Sequence, residues 1–244
     1  MFYKKLVLFT ILFFLVFTLY GIDYDSYGVI GGVMYIRNSS DDGAPSPVLP
    51  FLGINAGFSI KEKYFLEPSI VFNWNYYLWS ETEEMALPAE IEYADSVVIL
   101  NIIVDCPFVM RFKLVKDINI APFVSPAFIF RVPLKTWGEG DTYQSDILSY
   151  FYGGRFLFFE VGAFIEWNYS QRNSFKARID TLLPVFHIWD GDSFTDQFSI
   201  RLSLTFSFIT KSAQQRKIDA AARATETGDS KAAADSGTSV NTNE

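Results

Sequence analysis

The one histidine of this 244-residue chain, His187, is the only side chain that could serve as a neutral-pH base, with Asp190, Asp192 and Ser193 close behind it. Nucleophilic catalysis needs the hydroxyl, the base and an orienting acid in mutual contact. The stretch His187-Ile188-Trp189 offers no such spacing, so the histidine reads as a rim residue and no catalytic residue is assigned. A lone cysteine, Cys106, excludes an intrachain disulfide and any cysteine metal cluster. Carboxylates are plentiful (Asp41, Asp42, Glu81, Glu83, Glu84, Glu90, Glu92, Glu139, Asp141, Asp146), and oxygen ligands of this kind hold Ca²⁺ or Mg²⁺. Here they lack a calcium-loop spacing and read as solvated loops, so neither a metal nor a cofactor is expected. The net charge of −8 argues against nucleic acid as a partner, because phosphate binding needs a basic surface.

The remaining charged residues carry a different chemistry, because they alternate with large apolar side chains. In 197–208, Phe198, Ile200, Leu202, Leu204, Phe206 and Phe208 are apolar, and Ser199, Arg201, Ser203, Thr205 and Ser207 between them are polar. A strand puts each set on its own face, whereas a helix would scatter both. The same reading covers 49–60, 66–78, 156–168 and 174–185, and more weakly 26–37, 97–112 and 118–130, which makes about eight strands. One face then gathers Glu67, Asp105, Arg111, Glu160, Glu166, Lys176, Arg178, Asp180 and Arg201, together with Asn73, Asn75 and Asn101. Acids and bases are mixed, as mutual neutralisation in a narrow interior requires. Ion pairing that fills the space is one expectation, and a narrow path for ions or small solutes is the other.

Composition decides which face looks outward. Half of the residues are hydrophobic and 18% are aromatic, more rings than a water-soluble domain of this size usually houses. An apolar face turned to lipid has no such limit. The predicted connections alternate between short turns (near 61–63, 116–119 and 170–173) and long acidic segments (38–48, 80–92, 132–152 and 189–196). Tyr64, Trp167, Tyr169, Phe206 and Phe208 fall at the turn end, and Trp74, Tyr76 and Trp79 at the loop end, as two interfacial girdles would. Residues 22–210 are therefore expected to form an all-β, closed, antiparallel up-and-down transmembrane β-barrel. A secreted soluble barrel with an apolar ligand cavity is the rival, and it demands a polar exterior. Prolines 68, 107, 122, 126 and 184 lie inside the proposed strands, where each removes a ladder donor, so bulges or breaks are expected there.

The ends differ from the middle. Lys4 and Lys5 precede an uncharged run from Leu6 to Tyr20, the pattern of an export signal over residues 1–21. Residues 211–244 lose their aromatics and turn to Ala, Thr, Ser, Gly and Asp, which predicts a disordered periplasmic tail.

Two stretches add a family resemblance over about 22–209. Cys106-Pro107-Phe108-Val109-Met110-Arg111-Phe112 and Ala121-Pro122-Phe123-Val124-Ser125-Pro126-Ala127 resemble neighbouring strands of the eight-stranded outer-membrane barrel superfamily, the OmpA/OmpX-like or "porin family" small barrels. The glycines usual after the second stretch are replaced by Ser-Pro-Ala, and a tail follows the terminal Phe206 and Phe208. The resemblance implies the outer membrane of a diderm bacterium, with its lipid and its barrel-insertion machinery as partners. Host or surface molecules met through the loops are candidate partners. The expected role is structural or surface interaction, with a small porin as the alternative. Fold alone does not fix function.

Overall fold

The computed structural model describes residues 23–37, 46–61, 63–89, 96–136, 140–185 and 198–210, with residues 213 and 215. The export signal, His187 with Asp190, Asp192 and Ser193, and the 211–244 tail apart from Ala213 and Gln215 lie outside them, as do Asp41, Asp42, Glu90, Glu92 and Glu139.

The described residues form twelve strands in chain order: β1 (Asp23–Ile36), β2 (Val48–Lys61), β3 (Tyr64–Leu66), β4 (Ser69–Ser80), β5 (Met85–Ala89), β6 (Val97–Asp105), β7 (Phe108–Met110), β8 (Phe112–Val115), β9 (Ile118–Thr136), β10 (Leu157–Trp167), β11 (Asn173–Pro184) and β12 (Ser199–Ile209). All pairings are antiparallel. The path β1–β2–β4–β6–β9–β10–β11–β12 returns to β1, so eight walls close into a ring. β3 continues the wall of β4, and β7 and β8 continue that of β6.

The prolines explain the interruptions. Pro68 separates β3 from β4, and Pro107 separates β6 from β7. The gaps are bridged where the Ala56 N–H donates to the Pro68 carbonyl and the Glu67 N–H donates to the Pro107 carbonyl, each at 3.0 Å. Pro122 and Pro126 stay inside β9. Registers Asp105↔Ala127, Phe108↔Val124 and Phe112↔Ile120 set them opposite the breaks at Cys106–Pro107 and Arg111. The missing donors thus fall where the partner strand has already stopped pairing. Ser125 helps at one break, its Oγ accepting the Cys106 N–H at 2.9 Å.

The alternating apolar face is the outer one. Leu52 is 63% exposed, Ile54 58% and Leu204 55%, while the residues between them are buried. That exterior suits acyl chains and excludes the soluble-barrel rival. No helix among the described residues is long and apolar enough to cross a membrane, so crossing falls to the strands.

The inward face is not polar throughout, which corrects the sequence-based picture. Ile30, Met34, Phe51, Val71, Ile103, Ile129, Phe158 and Leu182 pack into a buried apolar layer across the lumen. A closed interior of eight strands must be filled by side chains. Wherever charges cannot be paired, apolar packing fills that space at lower cost.

Two loop-end elements also depart from expectation. The 80–92 segment holds β5, paired with β4 from Tyr76↔Ala89 to Ser80↔Met85 across the turn Glu81–Glu84. Glu84 closes that turn at a left-handed φ of 49°, and the Ser80 Oγ accepts the Glu83 N–H at 3.2 Å. The 132–152 segment holds the end of β9 and then a helix, α1 (Gly140–Tyr152). Tyr143, Ile147, Tyr150 and Phe151 share one face at three- and four-residue spacing. Through it the helix packs on Tyr77, Ala86, Val97 and Ile99. Gly154 (φ 121°) ends it, after the Gly153 N–H donates to the Ser149 carbonyl at 2.9 Å.

Replacing Phe158 by Ala should cost about 3–5 kcal/mol, since it empties the middle of the apolar layer; urea unfolding in detergent, followed on a heat-modifiability gel, measures it. A side chain at Gly32 would run into the Leu202 carbonyl and the Phe51 ring, so Gly32→Val should abolish the fast-migrating folded band.

Candidate functional site

The barrel's chemistry is concentrated in its lumen, where inward positions of five walls bring all nine charged residues of the sequence reading into two groups. The group nearer the turns has Glu67 after β3, Arg111 before β8, Glu166 at the end of β10 and Lys176 on β11. Arg111 Nη2 donates to Glu67 Oε1 at 2.6 Å and Arg111 Nε lies 3.3 Å from Glu166 Oε2. Lys176 Nζ donates to Glu67 Oε2 at 2.6 Å and lies 3.9 Å from Glu166 Oε1. Two acids and two bases thus form a closed square. Asn119 Nδ2 adds a bond to Glu166 Oε2 at 3.3 Å. Aromatic faces hold both cations, with Arg111 3.8 Å from the Phe65 ring centroid and Lys176 5.0 Å from that of Phe164.

The second group sits between that square and the apolar layer. Arg201 Nε donates to Asp180 Oδ1 at 2.6 Å, and its Nη2 reaches Glu160 Oε1 at 2.6 Å and Asp105 Oδ2 at 3.3 Å. Arg178 Nε donates to Asp180 Oδ2 at 2.8 Å, and its Nη2 contacts Glu160. Ser69 Oγ donates to Asp105 Oδ1 at 2.5 Å. Here three carboxylates face two guanidinium groups, and Glu160 Oε2 is buried without a hydrogen-bond partner. Removing water from such charges is tolerable only because nearly every oxygen meets a fixed donor. The network locks the relative heights of β4, β6, β10, β11 and β12.

Above the apolar layer the wall turns polar again. Asn73, Asn75 and Asn101 point inward at 0–2% exposure, and both amide atoms of Asn73 and Asn75 lack a hydrogen-bond partner. Arg131, beside Asn101 in the register, stacks 3.9 Å from the Phe151 ring centroid and donates to the Arg155 carbonyl at 2.9 Å. Tyr152 Oη donates to the Arg131 carbonyl at 3.1 Å, so Arg131 clamps α1 over the mouth. Sequence reading stopped this strand at residue 130 and missed Arg131. Alternation carried one residue further would have found it.

The interface aromatics divide by face. Tyr64, Trp74, Trp167, Tyr169, Phe206 and Phe208 lie on the exterior at 36–56% exposure. Tyr76 is outward and half-buried. Trp79 departs from the expected girdle: it packs against the α1 cluster, 6.4 Å from the Tyr150 ring centroid. The helix, invisible to a period-two reading, gives this ring a better apolar partner than the membrane rim.

No protein-family model matches the chain, and no curated protein matches it in sequence. Its fold is similar to solved outer-membrane barrels. The neisserial surface protein A matches at a TM-score of 0.49 with 8% identity, covering 78% of this chain and 99% of that one. Ail of Yersinia pestis, solved with the heparin analogue sucrose octasulfate, matches at 0.40 with 7% identity, covering 76% and 97%. The N-terminal barrel of OprF from Pseudomonas aeruginosa matches at 0.32 with 8% identity, covering 75% and 97%.

Arg201→Leu leaves three buried carboxylates around one guanidinium and should cost about 3–5 kcal/mol. Replacing Glu67 and Lys176 together with Leu and Met should cost less than the worse of the two single replacements. Urea midpoints of Arg201→Leu and of the four proteins in the Glu67/Lys176 double-mutant cycle test the two statements.

Proposed function

We propose that this chain is a non-catalytic barrel of the outer membrane of a diderm bacterium, a rigid anchor that displays its loop end for contact with other molecules. The observation that carries this reading is the filled lumen. Two ion-paired groups, an apolar layer and a helix at the loop end are stacked along the lumen, and this filling supports a closed interior. Ions crossing the apolar layer would have to shed their water without replacement ligands, a cost of many kcal/mol. That weighs against the small-porin alternative.

The loop end has the features of a presented surface. The hairpin of β4 and β5 and helix α1 are tied together where Tyr143 Oη donates to Glu81 Oε1 at 2.8 Å. Glu81, Glu83, Glu84 and Asp146 make this platform acidic, so candidate partners are cations or basic surfaces on other molecules. The terminal β12, with outward Phe206 and Phe208, suits the insertion machinery of the outer membrane as a further partner. We assign residues 1–21 to export and residues 211–244 to a periplasmic tail on the sequence pattern alone.

Purified protein in planar bilayers should show no steady conductance, and excision of residues 140–152 should leave it silent, because the apolar layer remains beneath. A persistent single-channel current in the intact chain would sink the anchor reading in favour of the porin. An epitope tag placed between Thr82 and Glu83 should be reached by antibody on whole cells.

A further inference from the structure

The apolar exterior is not equally tall around the barrel. On β9, every outward side chain from Ile120 to Leu134 is apolar, and the last three, Phe130, Val132 and Leu134, are 42–58% exposed. That run of 15 residues is roughly 35 Å tall along the barrel axis, at ~3.3 Å per residue and a strand tilt of ~40°. The walls of β4 and β6 rise with it. The register puts Trp74, Leu100 and Val132 in one row, and Leu78 and Val98 carry the face onward. β10 stops lower, its topmost pair being Leu157↔Phe128. On β1 the outward apolar run, Tyr24 to Tyr35, ends at the exposed Arg37. Those 12 residues, one of them taken up by the bulge at Asp25, give roughly 25 Å, the height of the apolar band of ~25 Å in barrels of this class.

We propose that acyl chains also cover the upper wall of β4, β6 and β9, so that the edge of the hydrocarbon sits about 10 Å higher there than on β1, with the barrel leaning to match. The inference rests on the transmembrane reading. It assigns lipid as the occupant because this surface is continuous with the lipid-facing belt. Between Val124 in the middle of the wall and Leu134 at its top, no polar or charged outward side chain marks a boundary; Lys135 is the first. A membrane-embedded face that ends at residue 128 would leave Phe130, Val132 and Leu134 as an apolar patch in water, which soluble surfaces avoid. A one-sided belt also imposes a direction, because matching its two heights requires the protein to tilt.

The test is spin-label accessibility in the full chain carrying Cys106→Ala, reconstituted in phosphatidylcholine vesicles. Labels go on Val124→Cys, Leu134→Cys and Arg37→Cys, and the ratio of collisions with oxygen to collisions with a water-soluble nickel chelate is read at each. Oxygen should dominate equally at 124 and 134, and nickel at 37. Oxygen at 124 with nickel at 134 overturns the inference and leaves the transmembrane reading standing, as does a 134 label shielded from both reagents, which means protein covers it. Nickel at 124 defeats the transmembrane reading itself. Val132→Cys gives the same comparison if the label at 134 prevents insertion.

Discussion

Within lipid no water is available to hydrogen-bond a peptide group, and that condition governs everything else in this structure. A sheet meets it only by closing, since an open edge would leave a row of unsatisfied N–H and C=O groups in hydrocarbon. Closure of eight walls then fixes the interior width, and a narrow interior must be filled by the chain's own side chains. The prolines show how strict the rule is. Pro122 and Pro126 on β9 stand opposite gaps in the neighbouring wall, where the missing donors cost nothing further, and Pro133 stands at the bulge in the β6–β9 register.

The lumen resolves into layers, each answering the desolvation problem differently. At the turn side, two carboxylates and two cations neutralise one another in a square. In the middle, each guanidinium group bridges carboxylates from more than one wall, and the geometric demands of that pairing hold the strand registers. Above it, apolar side chains fill the space without any charge to balance. The helix then rests on the rim, held by Phe151 and Ile147 and by the Arg131 stack. Rigidity below and a compact platform above suit an anchor that presents a surface.

Period-two alternation makes the eight walls legible in the sequence, because membrane strands separate their two faces in sequence as they do in space. The charged members of the lumen could be named for the same reason. Their partners could not. Lys176 meets Glu67 across 109 positions of chain, and Arg201 meets Asp105 across 96. Such pairs depend on barrel closure and stagger, which no local pattern encodes. The apolar layer was hidden because Phe158, Leu182 and Ile103 look in sequence like further outward residues or interruptions of the alternation.

The amino-acid order by itself determined the strands, their outward faces and the inward set of ionisable groups, since each follows from which neighbours a side chain has along one strand. Tertiary structure alone decided which charges pair, that an apolar layer crosses the lumen above them, and that Trp79 turns toward a helix. These outcomes rest on distances between residues remote in the chain, and only the closed ring of strands sets those distances.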